Sequence, residues 1–302
     1  MTTDEEPAMA TASIFNLLKE RPVLFDGGLG TELMKRGLPQ GTCPELWNIT
    51  NPETVKEVHK GYFDAGSDAV ATNSFGGSRI KLASFGLEAR SHELNYAAAR
   101  LAGEVKPKGK YVAGSMGPTG KFLKPQGEYE EAEFESAFAG QAKALAMGKV
   151  DFLLIETMFD LREALCALRG AKSAVHIPVM LTMTFNRTPR GFFTLMGNSV
   201  AQCVAVLEKE GVSALGANCT LSSSDMADCI REIHGLTRLP IIAKPNAGQP
   251  EFNAAREVVY SRSVEDFVRD VPKMLENGAS VVGGCCGTDS AYIRRIADLL
   301  KK

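Results

Sequence analysis

No apolar run in this chain approaches the ~18 residues that a membrane-spanning helix needs. Its 34 Lys and Arg against 36 Asp and Glu form no basic block, so the electrostatic footprint of a nucleic-acid-binding surface is missing. The opening stretch MTTDEEPAMATAS is acidic and has neither the basic nor the apolar region of a signal peptide, and a cytoplasmic location is expected. Histidine is scarce. His59, His92, His176 and His234 fall on helical stretches or near their ends, and no Ser/His/Asp arrangement emerges. The seven cysteines are odd in number and show no CxxC pair, which in a chain without an export signal argues for reduced thiols rather than a disulfide framework. Apolar residues are plentiful: 44% hydrophobic against 23% charged is enough to bury a substantial core.

Short aliphatic or β-branched runs lie at residues 23–26, 69–75, 111–115, 152–156, 179–185, 214–219, 241–246 and 281–285. They alternate with stretches whose apolar residues recur every three or four positions, at 54–65, 94–104, 130–147, 161–174, 199–210, 224–234, 264–276 and 292–300. Asn51-Pro52-Glu53, Ser222 and Asp289 are helix-start signals. Gly66, Gly148, Gly211 and Gly278 sit just past helices, where a left-handed residue closes the last turn. Eight strands alternating with helices fit an α/β fold of the (β/α)8 TIM-barrel type in count and length. An open doubly wound sheet gives the same alternation. Polar residues separate the two: Asp26, Asn73, Ser115, Glu156, Thr184, Asn218–Cys219, Asn246 and Cys285–Cys286 end all eight runs. An open sheet concentrates its site at one crevice and has no need of this. No linker or repeat marks a second domain, so the expected organisation is a mobile arm over residues 1–12 and a single barrel domain over 13–302.

Three of the strand-end residues are thiols, Cys219 in GANCT and Cys285–Cys286 in GGCCGT. Three thiolates with a fourth position open make the pattern of a catalytic zinc site. The alternative is that buried cysteines serve as small hydrophobes. Strands six and eight flank strand seven in a barrel, so the three can converge across it. Adjacent residues on a strand point to opposite faces, so both Cys285 and Cys286 can face one ion only if the chain leaves strand geometry there. Gly283, Gly284 and Gly287 supply that freedom, with a strained vicinal disulfide as the alternative. Cys43, Cys166, Cys203 and Cys229 read as packing residues. Asp26 leads into Gly27-Gly28-Leu29-Gly30-Thr31, either as a turn cap or facing a substrate whose carboxylate the backbone N–H groups of Gly27 and Gly28 would approach. Glu156 closes a wholly apolar run and needs a cation, either a substrate ammonium or a salt bridge within the barrel. Thr72, Asn73 and Asn218 read as polar liners, and Lys244 is expected to pair with an acid rather than form a Schiff base.

FDGGLGTEL, ATNSFGGSRIKL, GSMGPTGK, IETMFD, GANCT, KPNAGQP and GGCCGT occur in the order found in the homocysteine S-methyltransferase family, over residues 20–300. Through GPTGK and PETVKEVHKGYFDAGSDAVATNSF the chain most resembles the homocysteine-binding module of the cobalamin-dependent methionine synthases. The resemblance implies Zn2+ held by Cys219, Cys285 and Cys286, with Asn246 as a displaceable fourth ligand or near neighbour. It implies Asp26 and Glu156 near the ammonium of homocysteine; together with the residues read above, the expected substrate-binding set is Asp26, Gly27, Gly28, Asn73, Glu156, Asn218 and Asn246. A zinc ion with three thiolates would keep a substrate thiol deprotonated yet electron-rich, and methyl transfer then asks for little beyond an in-line approach. The chain stops at Lys302 and carries no DxHxxG loop of a corrinoid module, so the expected donor is a methylated corrinoid on a separate protein. Glycine-bearing loops at Gly76-Gly77, Gly117–Gly120 and Gly248 would leave the mouth open to it. S-methylmethionine or betaine is the alternative donor. Outside this class stand a thiol redox sensor and a lyase using Lys244 as a Schiff base. No nucleic-acid or membrane partner is expected.

Overall fold

In the computed structural model, which describes residues 13–252 and 258–301, eight parallel strands alternate with helices. The expected arm at 1–12 lies outside the described residues. The strands are β1 (Val23–Leu24), β2 (Ala69–Ala71), β3 (Tyr111–Met116), β4 (Phe152–Met158), β5 (Val179–Met183), β6 (Ala214–Asn218), β7 (Ile241–Lys244) and β8 (Ala279–Val282). They neighbour one another in chain order, with β8 beside β1. A parallel bridge from Phe25 to Ala69 joins β1 to β2 and closes the ring. Closure excludes the open doubly wound sheet.

The two-residue period of the strands builds two cores. Val23, Phe25, Ala69, Tyr111, Ala113, Phe152, Leu154, Met180, Ala214, Ile242 and Val281 fill the barrel interior, where Ile14 of the helix Ile14–Glu20 also packs. Leu24, Val112, Leu153, Ile155 and Leu181 point the other way into the layer beneath the helices. The outer ring is α1 (Pro52–Ala65), α2 (Ser91–Glu104), α3 (Glu131–Met147), α4 (Leu161–Ala174), α5 (Val200–Lys209), α6 (Ser223–His234), α7 (Val264–Arg269 and Val271–Glu276) and α8 (Ser290–Leu300). Ser222 caps α6 through Asp225 N–H, and Asp289 caps α8 through Ala291 N–H. Asn51 makes no side-chain cap, and Pro52 alone opens α1.

Three local expectations are corrected. The helix expected over 264–276 breaks at Asp270, because Pro272 has no N–H for the carbonyl four residues back and its ring crowds that carbonyl. Gly148 is not left-handed: its φ is −74°, and Lys149 at 70° makes the turn instead. A glycine is required there by space, since a Cβ would lie 2.3 Å from the Cβ of Ala99. The runs expected at 69–75, 179–185 and 241–246 pair only as far as Ala71, Met183 and Lys244. Beyond Lys244 comes Pro245, which cannot donate to a ladder. Two hairpins not expected from the alternation rise from the same rim: Asn186–Thr188 with Gly191–Phe193 after β5, and Pro250–Phe252 with Val258–Tyr260 after β7.

Candidate active site

The strand C-termini surround a cavity of about 380 Å³ whose wall includes Cys219, Cys285, Cys286, Glu156, Lys244 and Tyr260. The three thiols come together as expected, their sulfurs all within 4.8 Å of one another, and among the described residues they are the one such group with metal-ligand chemistry. β6 ends at Asn218, and the next two residues turn left-handed, Cys219 at φ 63° and Thr220 at φ 51°. Thr157, at φ 65° on the same rim, does likewise. Left-handed backbone costs an L-residue about 1–2 kcal/mol, and its concentration beside the thiols is how functional rims re-aim side chains.

The other two cysteines follow β8 in a turn stitched to its neighbours. Cys285 N–H donates to Pro245 O at 2.9 Å, Cys286 N–H to Asn246 Oδ1 at 3.1 Å, and Ala247 N–H to Cys286 O at 3.0 Å. Asn246 is thus a near neighbour that shapes the cysteine turn. Among the three glycines expected to free this turn, only Gly287 uses positive φ, at 80°. Gly284 serves close approach instead, since a Cβ there would meet Thr288 Oγ1 at 2.1 Å. Asn218 is held by four groups from three directions. Its Oδ1 accepts from Thr157 N–H (2.8 Å) and Thr182 Oγ1 (2.7 Å), and its Nδ2 donates to Thr157 Oγ1 (2.7 Å) and Cys285 Sγ (3.6 Å).

Cys219 Sγ lies 4.0 Å from Cys286 Sγ. Tetrahedral zinc with Zn–S bonds of ~2.3 Å sets its sulfurs about 3.8 Å apart, so the donor set and its spacing fit such an ion. All seven cysteines are free thiols, which leaves the vicinal disulfide aside. Packed against one another and buried, the three site thiols are held protonated. Hydrogen bonding to Cys219 raises Cys285, with burial adding to it. Cys219 and Cys286 sit at about 11 and about 12, the net of thiol hydrogen bonds that pull both ways and of burial. Cys43, Cys166, Cys203 and Cys229 are buried in the apolar layers, as packing residues.

Beside the thiols lies a buried charged triad. Lys244 Nζ is 3.3 Å from Asp26 Oδ1 and 3.6 Å from Glu156 Oε2, and 5.7 Å above the ring of Phe25. Burial works against the Lys244 charge, but Glu156 and Asp26 outweigh it and hold the ammonium protonated. Burial raises Asp26 to about 6 against the pull of Lys244. Asp26 is therefore no turn cap. Its Oδ2 accepts Ala71 N–H at 2.7 Å across to β2, and it stands behind the cavity wall. Glu156 is on the wall, and its Oε1 accepts from Ser115 Oγ at 2.6 Å. Gly28 N–H donates to Thr288 O at 2.9 Å, and a Cβ on Gly28 would meet Cys285 O at 2.6 Å, so the glycine pair lets β1 close on the cysteine turn. Asn73 reaches the wall, but its Nδ2 is committed to Pro44 O (2.8 Å) and Asn48 Oδ1 (3.0 Å).

Two wall residues escaped the sequence reading. Tyr260 comes in on the second hairpin with its hydroxyl hydrogen-bonded to Cys286, and a Cβ on Gly287 would meet its ring at 2.3 Å. Glu45 is buried with Oε1 accepting Gly76 N–H at 2.6 Å. Neither position carried a local signal, because both lie in short elements added between the strands and helices of the barrel, Tyr260 at the end of a hairpin and Glu45 in the 3-10 turn Pro44–Leu46.

A homocysteine S-methyltransferase family model matches residues 23–300. The chain is 32% identical to methionine synthase of Mycobacterium tuberculosis (strain ATCC 25618 / H37Rv) and 31% identical to that of Mycobacterium leprae (strain TN), in each case over 94% of its own length and 25% of the relative's. It thus spans about a quarter of these curated relatives. Among solved structures it is similar to the homocysteine methyltransferase MmuM from Escherichia coli. The metallated form is 26% identical with a TM-score of 0.78, covering 94% of this chain and 98% of that one. The oxidised form is 25% identical with a TM-score of 0.79, covering 95% and 99%.

Proposed function

We infer the function from one premise: this chain belongs to the homocysteine S-methyltransferase family. We propose that it methylates the sulfur of homocysteine to give methionine with the help of a zinc ion, and that the methyl group comes from a methylated corrinoid carried outside residues 1–302. The observation that carries the zinc reading is the spacing of the Cys219, Cys285 and Cys286 sulfurs at the end of a cavity that also holds acid and base. Those three cysteines would hold the ion, which would supply the positive charge that keeps a substrate thiol in its thiolate form.

The chain's own groups do the rest. Asn218 Nδ2 donates toward Cys285 Sγ and favours that sulfur as a thiolate. Tyr260 does the same for Cys286. Glu156 offers an acceptor for the substrate ammonium, already oriented by Ser115. Met34, Pro44, Phe75 and Phe85 make the outer wall apolar, which keeps water from the reacting sulfur. In the reaction a sulfur lone pair forms the new S–C bond while the donor leaves with the electrons of its old bond to carbon. Free thiols throughout the described residues suit the cytoplasm, where we place the protein.

A corrinoid donor is supported by the likeness to methionine synthases over nearly the whole chain. A small diffusible donor such as S-methylmethionine or betaine is the second reading, favoured by the near-complete overlap with MmuM in both chain lengths. Homocysteine methylation is to be assayed with methylcobalamin, a methylated corrinoid protein, S-methylmethionine and betaine. Turnover with the corrinoid donors is the expected result. Turnover with the small donors alone overturns the donor assignment, and no turnover with any of them overturns the function.

A further inference from the structure

Among the described residues two cations reach the cavity wall, Lys244 and Lys81. Lys244 is neutralised by Asp26 and Glu156. Lys81 is not: no carboxylate oxygen of the described residues comes within 4.0 Å of its Nζ, and its ammonium donates no hydrogen bond to them. Glu45, on the same wall, is already taken up by Gly76 N–H (2.6 Å) and the Cys43 thiol (3.1 Å). Yet Lys81 is no free surface arm. It is half-buried in the short helix Arg79–Leu82 that follows β2. A Cβ on Gly76 would lie 3.3 Å from its Cγ, and a Cβ on Gly120 would lie 3.4 Å from its Nζ. The stem therefore runs across two positions that carry no side chain. At Gly120, where φ is 72°, any other residue would also be strained. This seat holds the ammonium on the wall that Phe75 and Phe85 share, both of them exposed.

A lysine seated by its stem, with its charge unpaired beside apolar surface, is built to receive an anion, because a partly buried charge gains more from a partner than a solvated one. Its place decides whose anion that is. Lys81 stands with Met34, Pro44, Phe75 and Phe85 on the outer wall, which a methyl donor must line or pass to reach a sulfur held at the thiols. We propose that Lys81 recognises an anionic oxygen group of the methyl donor, a phosphodiester or a carboxylate, and is thereby a specificity-determining residue for the donor. This rests on methyl transfer to homocysteine being the reaction. The phosphodiester in the nucleotide tail of a corrinoid and the carboxylate of a zwitterionic sulfonium or ammonium donor share that chemistry. Each stands at a remove from the transferred carbon, so the anion can rest on Lys81 while the methyl group points inward. A donor whose only charge is positive meets repulsion there, and the same residue disfavours it. Lys121, next in the chain to Gly120, is exposed and off the wall. Its charge adds to the field at the mouth but is screened by salt.

Donor pairs that differ in the anion test this on the zinc-loaded chain. Methylcobalamin carries the phosphodiester, and methylcobinamide lacks it. S-methylmethionine carries the carboxylate, and (3-aminopropyl)dimethylsulfonium lacks it. The readout is the ratio of kcat/KM within each pair, for wild type, Lys81→Met, Lys81→Arg and Lys121→Met. Wild type is expected to favour the anionic member by about 3- to 10-fold, between the worth of an exposed ion pair and that of a buried charge-assisted contact. Lys81→Met keeps the stem and should erase the preference, whereas Lys81→Arg and Lys121→Met should retain it. Homocysteine affinity, measured by calorimetry, should be the same in wild type and Lys81→Met. A preference in the corrinoid pair assigns the anion to the phosphodiester, and one confined to the sulfonium pair assigns it to the carboxylate of a small donor. No preference in either pair, a preference that survives Lys81→Met, or a fall in homocysteine affinity that matches the lost preference overturns the assignment. No turnover by wild type with any of the four donors overturns the parent reading, and this inference with it.

Discussion

Glu163, in the first turn of α4, is the acid whose ionisation this structure resists most plainly. One oxygen accepts from both Thr119 N–H and Thr119 Oγ1 at 2.7 Å, and the other is buried with no partner among the described protein atoms. Burial lifts its pKa to about 7, against the pull of the two Thr119 bonds and with Asp160 adding to the lift. The folded state therefore holds the proton more tightly than the unfolded chain, whose carboxylate titrates near 4.5. Stability from this group is fully present below pH ~4.5 and is lost as pH rises to ~7, by about 3 kcal/mol in all. Glu163→Gln removes that dependence and keeps an acceptor for Thr119. It also buries an amide N–H2 where the orphan oxygen was, which costs about 1–2 kcal/mol. The variant should match or fall slightly below wild type at pH 5 and exceed it by about 1–2 kcal/mol at pH 8.5. Urea unfolding of both proteins across that range is the assay, because every other titrating group cancels in the difference. Parallel stability profiles would refute the reasoning, since they would mean that the orphan oxygen carries no charge penalty. Thr119 belongs to the GPTGK loop, whose Gly117 packs under Phe75 on the cavity wall, so the same titration bears on the site.

Cys219→Ala and Cys286→Ala should each lose zinc, measured by elemental analysis, with unchanged far-ultraviolet circular dichroism, because the thiols lie at the rim and not in the core. Stoichiometric zinc in the Cys219→Ala, Cys286→Ala double variant would remove the site. Glu156→Gln should weaken homocysteine binding by about 1.5–3 kcal/mol and leave zinc bound. Unchanged affinity in that calorimetric titration would return Glu156 to a purely internal salt bridge. His59, with both ring nitrogens buried and without a partner among the described residues, is lowered to about 4 by burial. Its contribution is present above pH ~6.5 and lost as pH falls toward ~4, about 3 kcal/mol in all. His59→Leu should therefore unfold at lower pH than wild type in an acid titration, and an equal midpoint counts against the assignment.

The barrel was legible because its strands are buried on both faces. Residues 152–155 read as an unbroken apolar run for the same reason that Phe152 and Leu154 face the interior while Leu153 and Ile155 face the helices. The hairpin Asn186–Thr188 has no such pattern, since Asn186 and Arg187 are exposed, and nothing in its composition announces a strand. Helix ends were legible where the signal is a side-chain chemistry, as at Ser222 and Asp289. They were less so where it is a contact: Gly148 is a glycine because of Ala99 on a different helix, which no local pattern contains.

The site divides along the same line. Which residue types gather at the rim follows from chain order and strand count, and that was enough to bring Cys219 to Cys285 and Cys286 and to give Lys244 an acid. Which of those groups faces the cavity depends on reach. Asp26 and Glu156 looked equivalent as strand-end carboxylates, yet the shorter side chain of Asp26 is taken up by Ala71 N–H and Lys244 behind the wall, while the longer one of Glu156 passes Ser115 and emerges on it. Lys244 is long enough to touch both. Two acids spaced to share an ammonium thus become an internal ion pair and one free face.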